Sequence, residues 1–564
     1  MISSKNRRLI TYTLLALVIL SVFISGVIFA PFFGYYTTDE NFVADSGVLM
    51  WYGNTPRGLD WPAAPSMLFY FFVFGLACFK SILVNSGSIH GLVSVFESFD
   101  LEAYQYLWER EPYILVGRAV QILAVGYILY NTLRLIHQRN HVLLTDALRL
   151  FLPVVLVAST IVFANLPVLR PEAIAGSLFI LLLARLIFTE SLSARDIILC
   201  SAIFGLILAQ RLIFAFFLPY YLIAVFMLSG GYKLKNVLFA LLVILLSFIV
   251  FCPFILSDTL VVMKSFVGGI IAKMNDKPMG TFFNMEYLKV YFNEPVNYII
   301  LLLSFLGTFK MLRTGKVVYL ALIANLLVFL FLVLRSSKIY DTHVLPAGVV
   351  NLFLVGFGLS YIAETWKATG QKVALVLVLI LAFVSFKEAY AQHVRVHARL
   401  NMHAASEWIG TLPSGTKMLL NPEFEFYIPK NAACLRREQA QNLDTLKMIR
   451  KLNFLLGNKG AAELSEKDLP IIANAFAFED EKQYDAQYRI LLKYAAKEKR
   501  KVYDYDIYFD SIELASHSVQ TQEAIREFNA GKYQYMVTEL ALEGKTPIKI
   551  FNQEQGAYFF VYRN

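Results

Sequence analysis

The sequence predicts a polytopic α-helical membrane protein with a soluble α/β domain after its last span. Three observations predict it. Hydrophobic residues make up 57% of the 564 residues, and aromatic residues 15%. Many apolar runs reach the roughly 20 residues that a helix needs to cross a bilayer. Beyond about residue 395 the composition turns to charged sequence with ordinary apolar patterning. The net charge of +9 is carried largely by Lys and Arg in the short links between apolar runs. It is therefore a topology signal and not a mark of nucleic-acid binding. Cys78, Cys200, Cys252 and Cys434 are scattered, three of them in apolar runs, and form neither a metal spacing nor a disulfide framework.

Taken in order, the first span covers about residues 9–30. Lys5, Arg7 and Arg8 place its N-terminal side in the cytoplasm. The run is longer than the apolar core of a signal peptide, so it is expected to be retained. A long outer loop, 32–112, follows. Within it, 65–84 is apolar enough to cross. If it crossed, the acidic residues Glu97, Asp100, Glu102, Glu109 and Glu111 would be cytoplasmic and Arg134, His137, Arg139 and Arg149 would be outside, inverting the charge rule. The segment is therefore expected to re-enter or to lie in the interface. The next span is 113–134. Further spans fall near 147–166, 172–189, 196–210, 211–229, 236–257, 296–312, 317–335, 343–363 and 372–388. The total is about eleven, with the N-terminus inside and the C-terminus outside.

The spans belong to a domain of 1–394, and 395–564 forms a separate outer α/β domain of roughly 160 residues, a common domain size. Thr416–Leu420, Tyr535–Leu540, Ile548–Phe551 and Tyr558–Tyr562 read as strands. Leu435–Leu455, Leu464–Phe476 and Asp485–Arg500 read as helices. No glycosylation sequon occurs in the chain, which favours a bacterial periplasm over a glycosylating lumen and places the protein in the inner membrane. No internal repeat of the kind that builds many transporters is visible.

The polar groups at span ends collect on the outer side: Asp39-Glu40, Arg170 and Glu172, Gln210-Arg211, and Lys338, Tyr340, Asp341 and His343. Two adjacent carboxylates at a membrane exit face water or a polar cavity. Each group also has a plainer reading. Arg170-Pro171-Glu172 is a good helix start, with Pro in the first turn and an acid near the N-terminus. Lys338 suits an interfacial anchor, and His343 suits a helix end. Arg211, inside an apolar hairpin, is harder to explain by snorkelling.

The order of these features resembles the C-type (GT-C fold) membrane glycosyltransferase superfamily, which includes the protein O-mannosyltransferases and the lipid A aminoarabinose transferases. The resemblance covers about residues 9–390. It rests on one span followed by Asp39-Glu40, Ala44, Gly53, Trp61-Pro62, Pro65 and Tyr70; on PYILVGRAVQILAVGYILYNTLRL; on LRPE at an outer hairpin; on Arg211 followed by LPYYL; and on SSKIYDTHVLPA before a late span. It implies inverting transfer of a sugar from a polyprenyl-phosphate donor to a lipid, glycan or protein acceptor on the outer face. On that reading Asp39 is the base or the carboxylate that orients the acceptor, with Glu40 beside it. Arg211, Lys338 and Arg170 meet the leaving phosphate, and Tyr340 and His343 add hydrogen bonds. Asp39, Glu40 and Glu172 are the positions for a divalent cation, Mg or Mn, since hard cations favour carboxylate oxygen. The acidic stretch 85–112 and the Gln210-Arg211 pair depart from better-known members. Two other classes remain open: a flippase of lipid-linked sugars, which would place ionisable groups on both faces, and a non-catalytic scaffold acting through 395–564.

Overall fold

The computed structural model describes residues 3–28, 43, 47, 64–84, 110–159, 166, 170–257, 289, 291–335 and 341–397. In the C-terminal region it describes 404–405, 408, 411–412, 418–421, 514–516 and much of 525–564. The chain divides into two units: Met1–Ala30, Arg57–Phe69 and Ile114–Gln392 in one, and Pro31–Pro56, Tyr70–Tyr113 and His393–Asn564 in the other.

The described helices are α1 Ser4–Phe23, which continues as a π-helical turn Ile24–Ile28, α2 Ala64–Val84, α3 Arg110–Gln138 and α4 Leu148–Val157. Then come α5 Pro171–Ile187, α6 Ala194–Gln210, a 3-10 segment Leu212–Phe217, α7 Leu218–Leu228 and α8 Lys233–Phe251. A four-residue helical turn, Phe254–Ser257, precedes α9 Pro295–Leu312, α10 Val317–Leu334, α11 Asp341–Thr365 and α12 Lys367–His397. Among the described residues, seven helices are long and apolar enough to cross a membrane. They are α1 with its π-turn, α3 from Tyr113, α8, α9, α10, α11 from Val344, and α12 up to Lys387.

Of the rest, α4, α5, α6 and α7 have 10, 17, 17 and 11 residues. α4 stops at Val157, short of the expected 166. The expected 211–229 span is a 3-10 segment joined to α7, where Pro219 in the first turn of α7 needs no backbone donor. The apolar part of α2, Ala64–Lys80, is among the short helices. Its first residues group with the bundle, and those from Tyr70 onward with the other unit.

Polar contacts fix the direction of several helices in the bundle. Thr11 meets His137 at 2.9 Å, and Arg118 donates to the Gly26 carbonyl at 3.1 Å, so α1 and α3 are antiparallel. Arg7 pairs with Asp146 at 2.6 Å, and Arg149 caps the His137 and Arg139 carbonyls. Lys310 and Thr145 both reach Glu364, and Lys316 lies 3.4 Å from His141. The bundle therefore has an Arg7 end and a Gly26 end, with α1 and α3 running in opposite directions between them.

Burial sorts the helices by depth. α5 is buried on nearly every face, as an interior helix should be. In α11 78% of the spanning window is buried, against 17% in α8 and in α12. α5 and α11 thus form the interior, while α8 and α12 present apolar side chains outward, as lipid-facing helices do. Close approach is built on glycine. A Cβ on Gly307 of α9 would collide with the Leu354 carbonyl of α11, and one on Gly358 with the Leu303 carbonyl. Small residues let membrane helices pack backbone to backbone in this way.

In the second unit, β1 Met418–Asn421, β2 Leu514–Ser516, β3 Tyr535–Thr538, β4 Lys549–Phe551 and β5 Phe559–Arg563 form one sheet of order β2-β1-β3-β5-β4. β1 is parallel to β2 and β3, and β5 is antiparallel to β3 and β4. Both faces are covered. Met418, Val537, Phe559 and Val561 pack on one side with Ala405 and Trp408, and Leu419, Met536 and Tyr562 on the other with Phe528. This is period-two alternation at work. The four expected strands are present within a residue or two, and β2 is additional. The helices expected at 435–455, 464–476 and 485–500 lie outside the described residues.

Candidate functional site

The Gly26 end of the bundle carries the described part of the site. α5 starts where the sequence puts Leu-Arg-Pro-Glu. Arg170 is the extended N-cap, Pro171 takes the first helical position, and Glu172 lies in the first turn. An acid there is favoured by the helix dipole. α6 ends at Gln210, and Arg211 breaks the helix with extended backbone, φ −153 and ψ 108. The following 3-10 segment seats Phe214 and Phe217 against Phe179 of α5, with ring centroids 4.9 and 5.2 Å apart. That packing brings the α6 end beside the α5 start.

The outcome is an ion pair between Arg211 Nη2 and Glu172 Oε1 at 2.9 Å, with side-chain exposures of 15% and 1%. Next to Arg211, Gln210 is buried and exchanges hydrogen bonds with Ser66 of α2 at 3.1 and 3.3 Å. Arg118, among the largest fully buried side chains, donates to Gly26 in the π-turn of α1. Gln121 donates to the Leu166 carbonyl at 3.3 Å. Local sequence reasoning singles out Arg211 and Glu172 separately. It does not pair them, it notes Arg118 only as the Gly-Arg entry of the second span, and it leaves Gln121 and Ser66 unmarked, because their partners are distant in sequence.

Of the residues expected at the site, Arg170, Glu172 and Arg211 are described, and the Glu172–Arg211 pair is brought together. Asp39, Glu40, Lys338 and Tyr340 lie outside the described residues. His343 falls in the first turn of α11, but its side chain also lies outside them. Glu172 fits poorly as a cation ligand, because a guanidinium already holds its Oε1 and would repel a metal ion placed there.

A second polar network lines the Arg7 end. Lys310 donates to both oxygens of Glu364 and to Ser360 Oγ, each at 2.8 Å, and Thr145 and Ser360 also donate to Glu364. His141, between α3 and α4, is held below its usual pKa, first by burial and then by Lys316. The expectation that notable polar groups gather at one end therefore needs correction. Ionisable pairs occur at both ends, and those at the Arg7 end tie links and helix ends together.

The class this defines is a multi-pass helical membrane protein whose helical bundle bears ion pairs at both ends, the Glu172–Arg211 pair being the buried one. No protein-family model matches the chain, and no curated protein matches it.

Proposed function

We propose that the chain is an inverting GT-C-type glycosyltransferase, moving a sugar from a polyprenyl-phosphate donor to a lipid, glycan or protein acceptor. The observation that carries this reading is the buried Glu172–Arg211 pair at the Gly26 end of the bundle. An arginine set below a membrane surface suits the phosphate of a lipid whose tail stays in the apolar phase. The chain trace supports it. The segment with Asp39 and Glu40 leaves from the π-turn of α1, and the segment with Lys338 and Tyr340 links α10 to α11. Both depart from the Gly26 end.

In this reading Asp39 takes the acceptor proton or orients the acceptor hydroxyl, with Glu40 beside it, as the acceptor oxygen displaces the phosphate. Arg211, Arg170 and Lys338 stabilise the charge gathering on the leaving phosphate, with Tyr340 and His343 donating hydrogen bonds. A divalent cation, Mg or Mn, would be held by Asp39 and Glu40 and would add charge stabilisation there; Glu172 has its Oε1 paired with Arg211. The Gly26 end faces the periplasm, the Arg7 end faces the cytoplasm of a bacterial inner membrane, and 395–564 is periplasmic.

The test is sugar transfer by purified protein from a panel of labelled polyprenyl-phosphate sugars, wild type beside Asp39→Asn. Label passing to an acceptor, and lost in the variant while donor binding persists, supports the reading. Transfer that survives in Asp39→Asn refutes the role of Asp39. A second reading, a flippase of lipid-linked sugars, is favoured by the ion pairs at both ends of the bundle. It expects transport to survive Asp39→Asn.

A further inference from the structure

We infer that Glu172 is an internal competitor for the lipid phosphate at Arg211, and that it discriminates against the spent carrier. The inference rests on the polyprenyl-phosphate reading above.

The geometry sets the competition. Glu172 Oε1 accepts from Arg211 Nη2 at 2.9 Å, so a phosphate that engages the same nitrogen must displace the carboxylate or share the guanidinium with it. The two partners differ in freedom. Glu172 is 1% exposed and fixed on the first turn of α5 behind Pro171. Arg211 is 15% exposed and sits on the non-helical link between α6 and the 3-10 segment. The guanidinium is the more exposed of the two and sits off the helix, so in this proposal it is the group that turns toward the ligand, while the carboxylate stays behind as a fixed negative charge.

Charge then separates substrate from product. The donor is a phosphodiester with one negative charge. After transfer the carrier is a phosphomonoester, whose second ionisation near pH 6 gives it a charge of about −1.5 to −2 at neutral pH. A fixed carboxylate beside the phosphate site repels the monoester more than the diester, and low local dielectric strengthens the difference. Glu172 thus opposes retention of the product that Arg211 would otherwise hold most tightly. Its place is at the release step rather than at bond formation, and we class it as a specificity-determining residue.

The test is equilibrium binding of a polyprenyl phosphate to the full-length protein in nanodiscs, with wild type, Glu172→Gln and Arg211→Gln compared at pH 7.5. Glu172→Gln keeps the shape and an oxygen acceptor for Arg211 but removes the charge. It is expected to bind polyprenyl phosphate about tenfold more tightly, the size of one modest charge interaction. The gain should shrink at pH 5.5, where the phosphate is a monoanion. Glu172→Asp, which draws the carboxylate back by one methylene, serves if the Gln variant fails to purify as a folded monodisperse protein. It should move binding the same way by less. Unchanged or weaker binding in these variants, with Arg211→Gln still impaired, overturns the competitor role and leaves the phosphate site standing. No binding of polyprenyl phosphate to wild type or to any variant overturns both.

Discussion

Glu172 and Arg211 are the residues on which the account turns. Removing one partner of a buried pair strands the other charge, at a cost of roughly 3–5 kcal/mol. Arg211→Met should therefore unfold at markedly lower temperature than wild type, while Arg211→Met with Glu172→Met should recover most of the loss. A double-mutant cycle of thermal stability checks this, and additive losses would mean the two do not interact. His141 supplies a pH prediction. Its folded pKa lies below that of an unfolded histidine, about 6.5. Above that pH both states are neutral. As pH falls below it the unfolded chain takes up the proton first, so stability declines toward acid until the folded pKa is reached. Melting curves from pH 7.5 to 5 should show a smaller decline in His141→Asn than in wild type.

At the scale of elements, contact between α9 and α11 depends on Gly307 and Gly358 facing carbonyl groups. Gly307→Leu forces the helices apart and should destabilise by at least the 1–3 kcal/mol typical of overpacking. Gly230→Ala, where nothing lies within 4 Å, should be close to neutral by the same thermal assay. Lys310 and Glu364 tie these two helices at the Arg7 end, together with Thr145. Lys310→Met should lower stability, and adding Glu364→Gln should restore part of it; no restoration would assign the loss to packing of the lysine stem.

Much of the helical layout was legible in the sequence, because apolar length and charged links report spans without any tertiary knowledge. Four strands were legible through β-branched and aromatic runs between turn residues. β2 was not, because three residues inside a charged stretch are too few to show alternation. The Lys310–Glu364 contact joins residues 54 apart, and Thr145 reaches Glu364 across 219. Such pairings leave no local pattern.

At the scale of the whole molecule, two features define the protein: a helical bundle with α5 and α11 inside, and a small mixed sheet near the C-terminal end. The candidate site was legible in part. Arg211 stood out as a charge in an apolar hairpin and Glu172 as an acid at a helix start. That they meet follows from the aromatic seat of Phe179, Phe214 and Phe217, which only the packed bundle reveals.

The most direct test of the central claim is the fate of a synthetic polyprenyl-phosphate sugar in vesicles containing the purified protein and an acceptor-bearing membrane extract. The account predicts that free polyprenyl phosphate and glycosylated acceptor accumulate in equal amounts. Donor that changes leaflet with its sugar still attached, and with no carrier phosphate released, would contradict it.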